Sequence, residues 1–253
     1  LANKHVLDWG YAGLRETLAT LDGIGVKTAG AGENLAAARA PTVFPVGENR
    51  RVILLAMGSG SSGIPADWAA GPEQPGIWRI DESEEATIVT VAQWVEEVKG
   101  GGDVVVASVH WGPNWGYRVP EEHRRFAHAL IERAEVDLVH GHSSHHPKGL
   151  ETHRGRLILY GCGDFLNDYE GIPGEEEYRP DLTLMIFPDL DPETGALADL
   201  VLRPMRIPGF RLADAEIGEG DLLLQTLNRE SEAGGVRLDK DDRGNLSLQT
   251  AGP

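Results

Sequence analysis

Cysteine is almost absent. The chain of 253 residues holds one, Cys162, which excludes a disulfide framework within it. Basic residues are also scarce, 23 against 40 acidic ones, for a formal net charge of −17. Such a surface repels phosphate backbones, and no local cluster of Lys and Arg offsets it, so general nucleic-acid binding is excluded as a reading. No run approaches the roughly 20 apolar residues that span a bilayer, so this chain carries no membrane-crossing segment. Internal repeats and low-complexity tracts are missing too. Apolar residues nevertheless make up 41% of the chain, too much for disorder even at this charge. The length suits one domain, or one with an appendage.

The pattern of elements alternates. Leu14, Leu18 and Leu21 share one helical face between Gly10 and Leu21. A short strand is expected at Val26–Ala29, then a glycine turn at Gly30–Gly32. Thr42–Val46 and Arg51–Met57 read as strands joined by a turn at Gly47–Asn49, and residues 58–76 as a loop rich in Gly, Ser and Pro. Asp81 and Glu84 resemble a capping box for a helix reaching Lys99, with Ile88, Val91, Val95 and Val98 inward. Asp103–His110 is a continuous apolar run, expected to be a strand buried on both faces. Pro120 opens a helix with Phe126, Leu130 and Ile131 inward, and Val136–Val139 and Arg156–Tyr160 read as short buried strands. Two hairpins, 182–187 with 197–202 and 236–238 with 246–248, flank a helix at Asp221–Glu232. The alternation indicates an α/β domain with a sheet covered by helices.

The chemistry falls at strand ends. Most of the nine histidines lie between His110 and His146. His110 closes one strand, and His140 closes another, opening into Gly141-His142-Ser143-Ser144-His145-His146. In open α/β sheets ligands bind beyond the carboxyl ends of strands. Imidazoles placed there can ligate a divalent metal or move protons. His123 and His128, in a helix rich in Glu and Arg, read as solvated or satisfied, and so does His153. Cys162 reads as a small buried residue, and Glu175–Glu177 as a solvated loop. Trp111 and Trp115 suit a pocket cover and plain packing equally.

These residues resemble a family. Asn3-Lys4-His5-Val6-Leu7-Asp8-Trp9-Gly10 resembles the Asn-Asn-His-x-x-Asp-x-Gly motif of the CapA family, the poly-gamma-glutamate capsule biosynthesis proteins. Gly30-Ala31-Gly32-Glu33-Asn34 and Ala38 to Pro41 look like its glycine turn and the segment after it. His110-Trp111-Gly112 with Pro120 is similar to its "HWG…P". Gly141–His145 with Gly149-Leu150-Glu151 is similar to its "GHxxH…GIE", and Tyr160–Phe165 to its "YSLGNF". The ordered motifs run over residues 1 to about 170; Asp168–Gly171 and Pro180–Leu182 are compatible with the family but less diagnostic.

The family resembles calcineurin-like metallophosphoesterases, which implies a four-layer sandwich of mixed sheets flanked by helices. It implies one or two divalent ions (Mn, Fe or Zn) held by His110, His142 and His145. His140 is the lesser candidate, because His140-Gly141-His142 also fits the superfamily's His-x-His. The resemblance makes His5 the general acid or the group that stabilises transition-state charge. It places Asn3, Asp8, Glu151 and Asp164 beside the metals or the substrate. Two departures stand out. The family's first strand with its Gly-Asp turn, and its Asn-Leu-Glu segment, are not seen, so an N-terminally incomplete domain over 1–210 is expected, with a helix-and-hairpin appendage over 211–253. Lys4 replaces an Asn that corresponds to a metal ligand, and an ammonium has no acceptor to offer a cation. One metal, weak binding, or an anion held by Lys4 all remain open.

The leading expectation is a metal-dependent hydrolase of capsule or polyglutamate synthesis acting on a phosphoester or gamma-glutamyl amide. Its substrate would be an anionic small molecule or a polyglutamate-like chain. The alternative is a non-catalytic accessory protein on the same scaffold; a metal-storage module is a weaker third. The chain opens at Leu1 inside a motif with no leader pattern. On this chain alone the expected location is cytoplasmic, with an upstream signal or anchor left open.

Overall fold

The structure is a computed structural model that describes residues 1–83, 85–165, 167 and 174–249. It is mixed α/β, with several sheets and accompanying helices, as the alternation of elements led us to expect and as a metallophosphoesterase-like fold requires. Glu84 of the expected capping box and Asp168–Gly171 lie outside the described residues. Among those described, no helix is long and apolar enough to cross a membrane. The chain divides into two compact units, Leu1–Pro113 with Pro120–Ser143, and Asn114–Val119 with the residues from Ser144 onward.

The first unit contains α1 (Gly10–Gly23), β1 (Ala31–Gly32), α2 (Leu35–Arg39), β2 (Thr42–Val46), β3 (Arg50–Ser59), β4 (Gly76–Ile77), β5 (Arg79–Ile80), α3 (Glu85–Val98), β6 (Val104–His110), α4 (Glu121–Arg133) and β7 (Leu138–His142). Its sheet runs β2-β3-β6-β7, with β5 beside β3. β2 is antiparallel to β3; β3, β5, β6 and β7 are parallel where they pair. The expected inward stripes are largely realised: Ile88, Val91 and Val95 are buried on α3 while Val98, at its end, is half-buried, and Phe126, Leu130 and Ile131 are buried on α4.

Several expectations need correction. Val26–Ala29 forms no ladder. Two of its carbonyls are taken by other groups, Thr42 Oγ1 donating to Thr28 O at 2.8 Å and the Leu1 amine to Ala29 O at 2.6 Å. The 58–76 loop is partly ordered: β3 continues to Ser59, and one-turn 3-10 segments follow at Gly60–Ser62 and Ala66–Trp68. β6 is not equally buried on both sides. Val105, Ala107 and Val109 are wholly buried, while Val104, Val106 and Ser108 are half-buried.

The amino ends of these strands carry buried carboxylates that set their register. Asp103 is 8% exposed and accepts two bonds from Arg51 Nε, at 3.0 and 3.1 Å. Asp137, 2% exposed, accepts from Val105 N at 2.8 Å and from Lys99 Nζ at 3.1 Å. A buried carboxylate is tolerated only when so paired. These pairs lock β6 to its neighbours at the end opposite the histidines.

The second unit contains β8 (Leu150–His153), β9 (Arg156–Leu159), β10 (Leu182–Leu190), β11 (Leu197–Arg206), β12 (Ala213–Asp214), α5 (Ile217–Ser231), β13 (Leu238–Lys240) and β14 (Leu246–Leu248). β8 and β9 form a hairpin whose turn, Arg154-Gly155, has φ of 49° and 76°, as tight hairpins require. The larger sheet runs β10-β11-β14-β13, with β12 on β11. Gly149 passes so close to α5 that a Cβ there would sit 2.3 Å from Glu230 O.

Candidate functional site

The parallel register of β6 and β7 pairs Ser108 with His140 and His110 with His142. Residues two apart on a strand share a face, so all four side chains stand on one side of the sheet at its carboxyl end. The rings meet: His110 Nδ1 lies 3.0 Å from His142 Nδ1. Ser108 Oγ bridges His142 Nε2 at 3.1 Å and His140 Nδ1 at 3.0 Å. The expected strand end at Val139 was too early; β7 continues to His142, which is what brings it level with His110.

Burial lowers the pKa of His140, and it lowers that of His142 well below the ordinary value, with His140 and His110 adding to the effect. A cation beside an imidazolium is repelled, so rings held neutral are the form that ligates. Nitrogens around a tetrahedral zinc ion at about 2.0–2.1 Å stand about 3.3 Å apart. The His110–His142 separation needs to open by only a few tenths of an ångström to match. The donors on this face are imidazoles and a hydroxyl, a set without a carboxylate that suits one imidazole-preferring ion. Two divalent ions would need anionic ligands to offset their charge.

The turn after His110 is clamped. Gly112 takes φ +71°, and its N–H donates to Ser61 Oγ at 3.0 Å. Trp111 is 3% exposed, stacked on His123 at 4.9 Å and edge-on to Phe126 at 6.4 Å, so it is a packing residue. His123 is satisfied rather than solvated: Nε2 lies 3.1 Å from Glu82 Oε1 and 3.3 Å from Ser61 Oγ. Ser59 also donates to Glu82. These groups line an open cleft of about 430 Å3 together with Arg79. Burial works to raise the Glu82 pKa, but hydrogen bonds from His123, Ser59 and Ser61 outweigh it and bring it down to about 2. A carboxyl with a lowered folded pKa stabilises the fold above its unfolded value and loses that contribution as pH falls toward the folded one. Glu82→Gln is therefore expected to flatten the acid limb of stability between about pH 4.5 and 2, read by urea titrations across that window; an unchanged limb would contradict the assignment.

The N-terminal motif forms a second group in the same unit. His5 Nδ1 lies 2.8 Å from Asp8 Oδ2, and the His5 backbone N–H donates to Asn3 Oδ1 at 2.8 Å. Both dyad side chains are largely exposed, 68% for His5 and 48% for Asp8. Burial lowers the Lys4 amine pKa.

The remaining candidates lie in the second unit. His145 Nδ1 is 3.0 Å from both carboxylate oxygens of Asp164, and its ring packs against Trp115 at 5.3 Å. A carboxylate on Nδ1 sets an imidazole to present Nε2, as in carboxylate–histidine–metal triads. Glu151 accepts from the Tyr160 hydroxyl at 2.7 Å. His146 is fully buried beside Trp115, Tyr117 and Tyr178, and burial brings its pKa down to about 4. Lys148, 5% exposed, donates to Arg118 O at 2.9 Å, and burial lowers its amine to about 8. Burial pushes the Cys162 thiol up to about 12, which suits an inert residue. The structure thus brings His110 and His142 together in one unit, and His145 and Asp164 together in the other.

Sequence reasoning missed Ser108, whose signal was its period-two spacing from His110. It also missed the Glu82–His123 pair, whose members are 41 residues apart.

Comparison with known proteins gives a consistent relationship. The family described as bacterial capsule synthesis protein PGA_cap matches residues 1–169. A probable polyglutamine synthesis accessory protein of Mycobacterium tuberculosis is 44% identical over 239 residues, 94% of this chain and 63% of that protein. Capsule biosynthesis protein CapA of Bacillus anthracis is 26% identical over 168 residues, 66% of this chain and 39% of that one. The PGA biosynthesis protein CapA of Bacillus subtilis is 26% identical over 167 residues, 66% of this chain and 41% of that one. This chain therefore spans less than two thirds of the length of these relatives. It belongs to the bacterial capsule synthesis protein PGA_cap family.

Proposed function

We propose that this chain serves capsule or polyglutamate synthesis as a metal-dependent hydrolase acting on a phosphoester or a gamma-glutamyl amide. The observation that carries the reading is the convergence of His110 Nδ1 and His142 Nδ1, 3.0 Å apart at paired ends of parallel strands. The names of the relatives support the pathway. The donor set favours a single imidazole-preferring ion, zinc or iron, over a pair. A bound divalent ion would polarise the phosphoryl or carbonyl oxygen on the atom under attack and offset the charge that builds on that oxygen.

The chain's own proton chemistry falls to His5. Asp8 accepts the Nδ1–H and holds the ring, so Nε2 is the atom that delivers a proton to the leaving group. The anionic surface, at a net charge of −17, opposes a long polyglutamate chain except where a cation reverses the sign locally.

Lys4 favours a second reading, a non-catalytic accessory role, because an ammonium stands where the family's motif has an Asn. The test loads the full chain with zinc, iron or manganese and assays aryl phosphoesters and gamma-glutamyl anilides. Metal-dependent turnover is expected, with His5→Ala lowering kcat by about 10²–10⁴ at unchanged metal content. A metal-loaded chain inert across the panel would leave the accessory role in its place.

A further inference from the structure

We infer that Ser108 and His140 are positioning residues: a hydroxyl–imidazole chain that keeps the His142 proton on Nε2, so that Nδ1 presents its lone pair toward His110. The inference rests on the metal reading above.

Three close contacts run in series, His140 Nδ1 to Ser108 Oγ at 3.0 Å, Ser108 Oγ to His142 Nε2 at 3.1 Å, and His142 Nδ1 to His110 Nδ1 at 3.0 Å. Each needs one proton, and the chain admits two orders. In the first, His142 Nε2–H donates to Ser108, and the Ser108 hydroxyl donates to His140 Nδ1. In the second every direction is reversed: His140 Nδ1–H donates to Ser108, Ser108 donates to His142 Nε2, and His142 Nδ1–H points at His110. In the first order the proton of the third contact sits on His110 Nδ1 and points at the His142 Nδ1 lone pair; a cation between the two atoms replaces that proton, so only the first order already turns the His142 lone pair toward it, and His110 supplies its own by carrying its proton on Nε2. A hydroxyl suits the bridge because it donates once and accepts as well. Alanine offers neither, and would leave Nε2–H of a half-buried ring with no partner, which favours moving the proton to Nδ1.

The placement follows from the strand. Ser108 shares the face of His110, whereas Ala107 and Val109 face the wholly buried side. His140 stands opposite Ser108 in the parallel register, at the far end of the chain of contacts. His140 thus acts through His142 rather than as a ligand itself.

Zinc titration calorimetry on the full chain, with 15N-histidine NMR of the metal-free protein, tests this. Ser108→Ala should weaken zinc binding about 10–100-fold, the range for residues that orient a metal-bound imidazole, and should deplete the Nε2–H form of His142. Ser108→Thr, which keeps the hydroxyl, should restore both. His140→Phe should weaken binding in the same direction, and adding it to Ser108→Ala should cost little more, because the two act as one unit. Equal zinc affinity in Ser108→Ala and the unsubstituted chain, or unchanged tautomer populations, would overturn the positioning role alone. An unsubstituted chain that binds no zinc would overturn the metal reading and this inference together.

Discussion

Replacing His110 or His142 by alanine is expected to abolish stoichiometric binding of a divalent ion while the chain stays folded. Either change removes one of two converging nitrogens, and the cost should exceed the 10–100-fold that follows loss of an orienting partner. The fold should survive because β6 and β7 are held elsewhere. Val105, Ala107 and Val109 fill the buried face, and Asp103 and Asp137 fix the amino ends. Zinc titration followed by far-UV circular dichroism separates the two effects. Affinity that stays close to that of the unsubstituted chain would remove these residues from the metal site.

The second large effect falls on the support of that site. Phe126→Ala should destabilise the first unit by about 3–5 kcal/mol, because the ring is 1% exposed and its loss leaves a cavity that rigid neighbours fill only in part. A midpoint drop of roughly 6–20 °C in thermal unfolding corresponds to that range at this size. Phe126 also meets Trp111 edge-on, and Trp111 follows His110 directly, so zinc affinity should fall with stability. Thermal unfolding that barely moves would show that α4 does not hold the HWG turn in place.

Much of the fold was legible because apolar spacing follows the local period. The stripes of α3 and α4 and the apolar run of β6 could be read directly. What escaped was carried by polar residues. β7 reaches His142, although the apolar run stops at Val139, because backbone pairing with β6 continues past the last apolar side chain. β8 escaped because Glu151, Thr152 and His153 give no apolar signal. α5 starts at Ile217, four residues earlier than expected, because Glu216 and Glu219 form a reciprocal cap with carboxylates where Ser or Thr is more usual.

The site was legible in a similar measure. His110 and the segment from His140 to His146 could be found from their places at strand ends, whereas the choice of His142 and the roles of His5 and Asp8 came through the resemblance. Asp164 could be named only through the resemblance, since it meets His145 across 19 residues of sequence. His123 is the instructive case. On a helix rich in Glu and Arg it looked ordinary, yet α4 turns it inward onto Trp111 and Glu82. Residue type alone does not show which way a helix faces when the polar residue lies on its buried stripe.

The central claim is that imidazoles at the ends of β6 and β7 hold a divalent ion. X-ray absorption of the zinc-loaded full chain tests it most directly. The account predicts at least two imidazole nitrogens in the inner shell at about 2.0–2.1 Å, and loss of that imidazole shell in His142→Ala. An inner shell of oxygen donors alone, or one unchanged by His142→Ala, would contradict it.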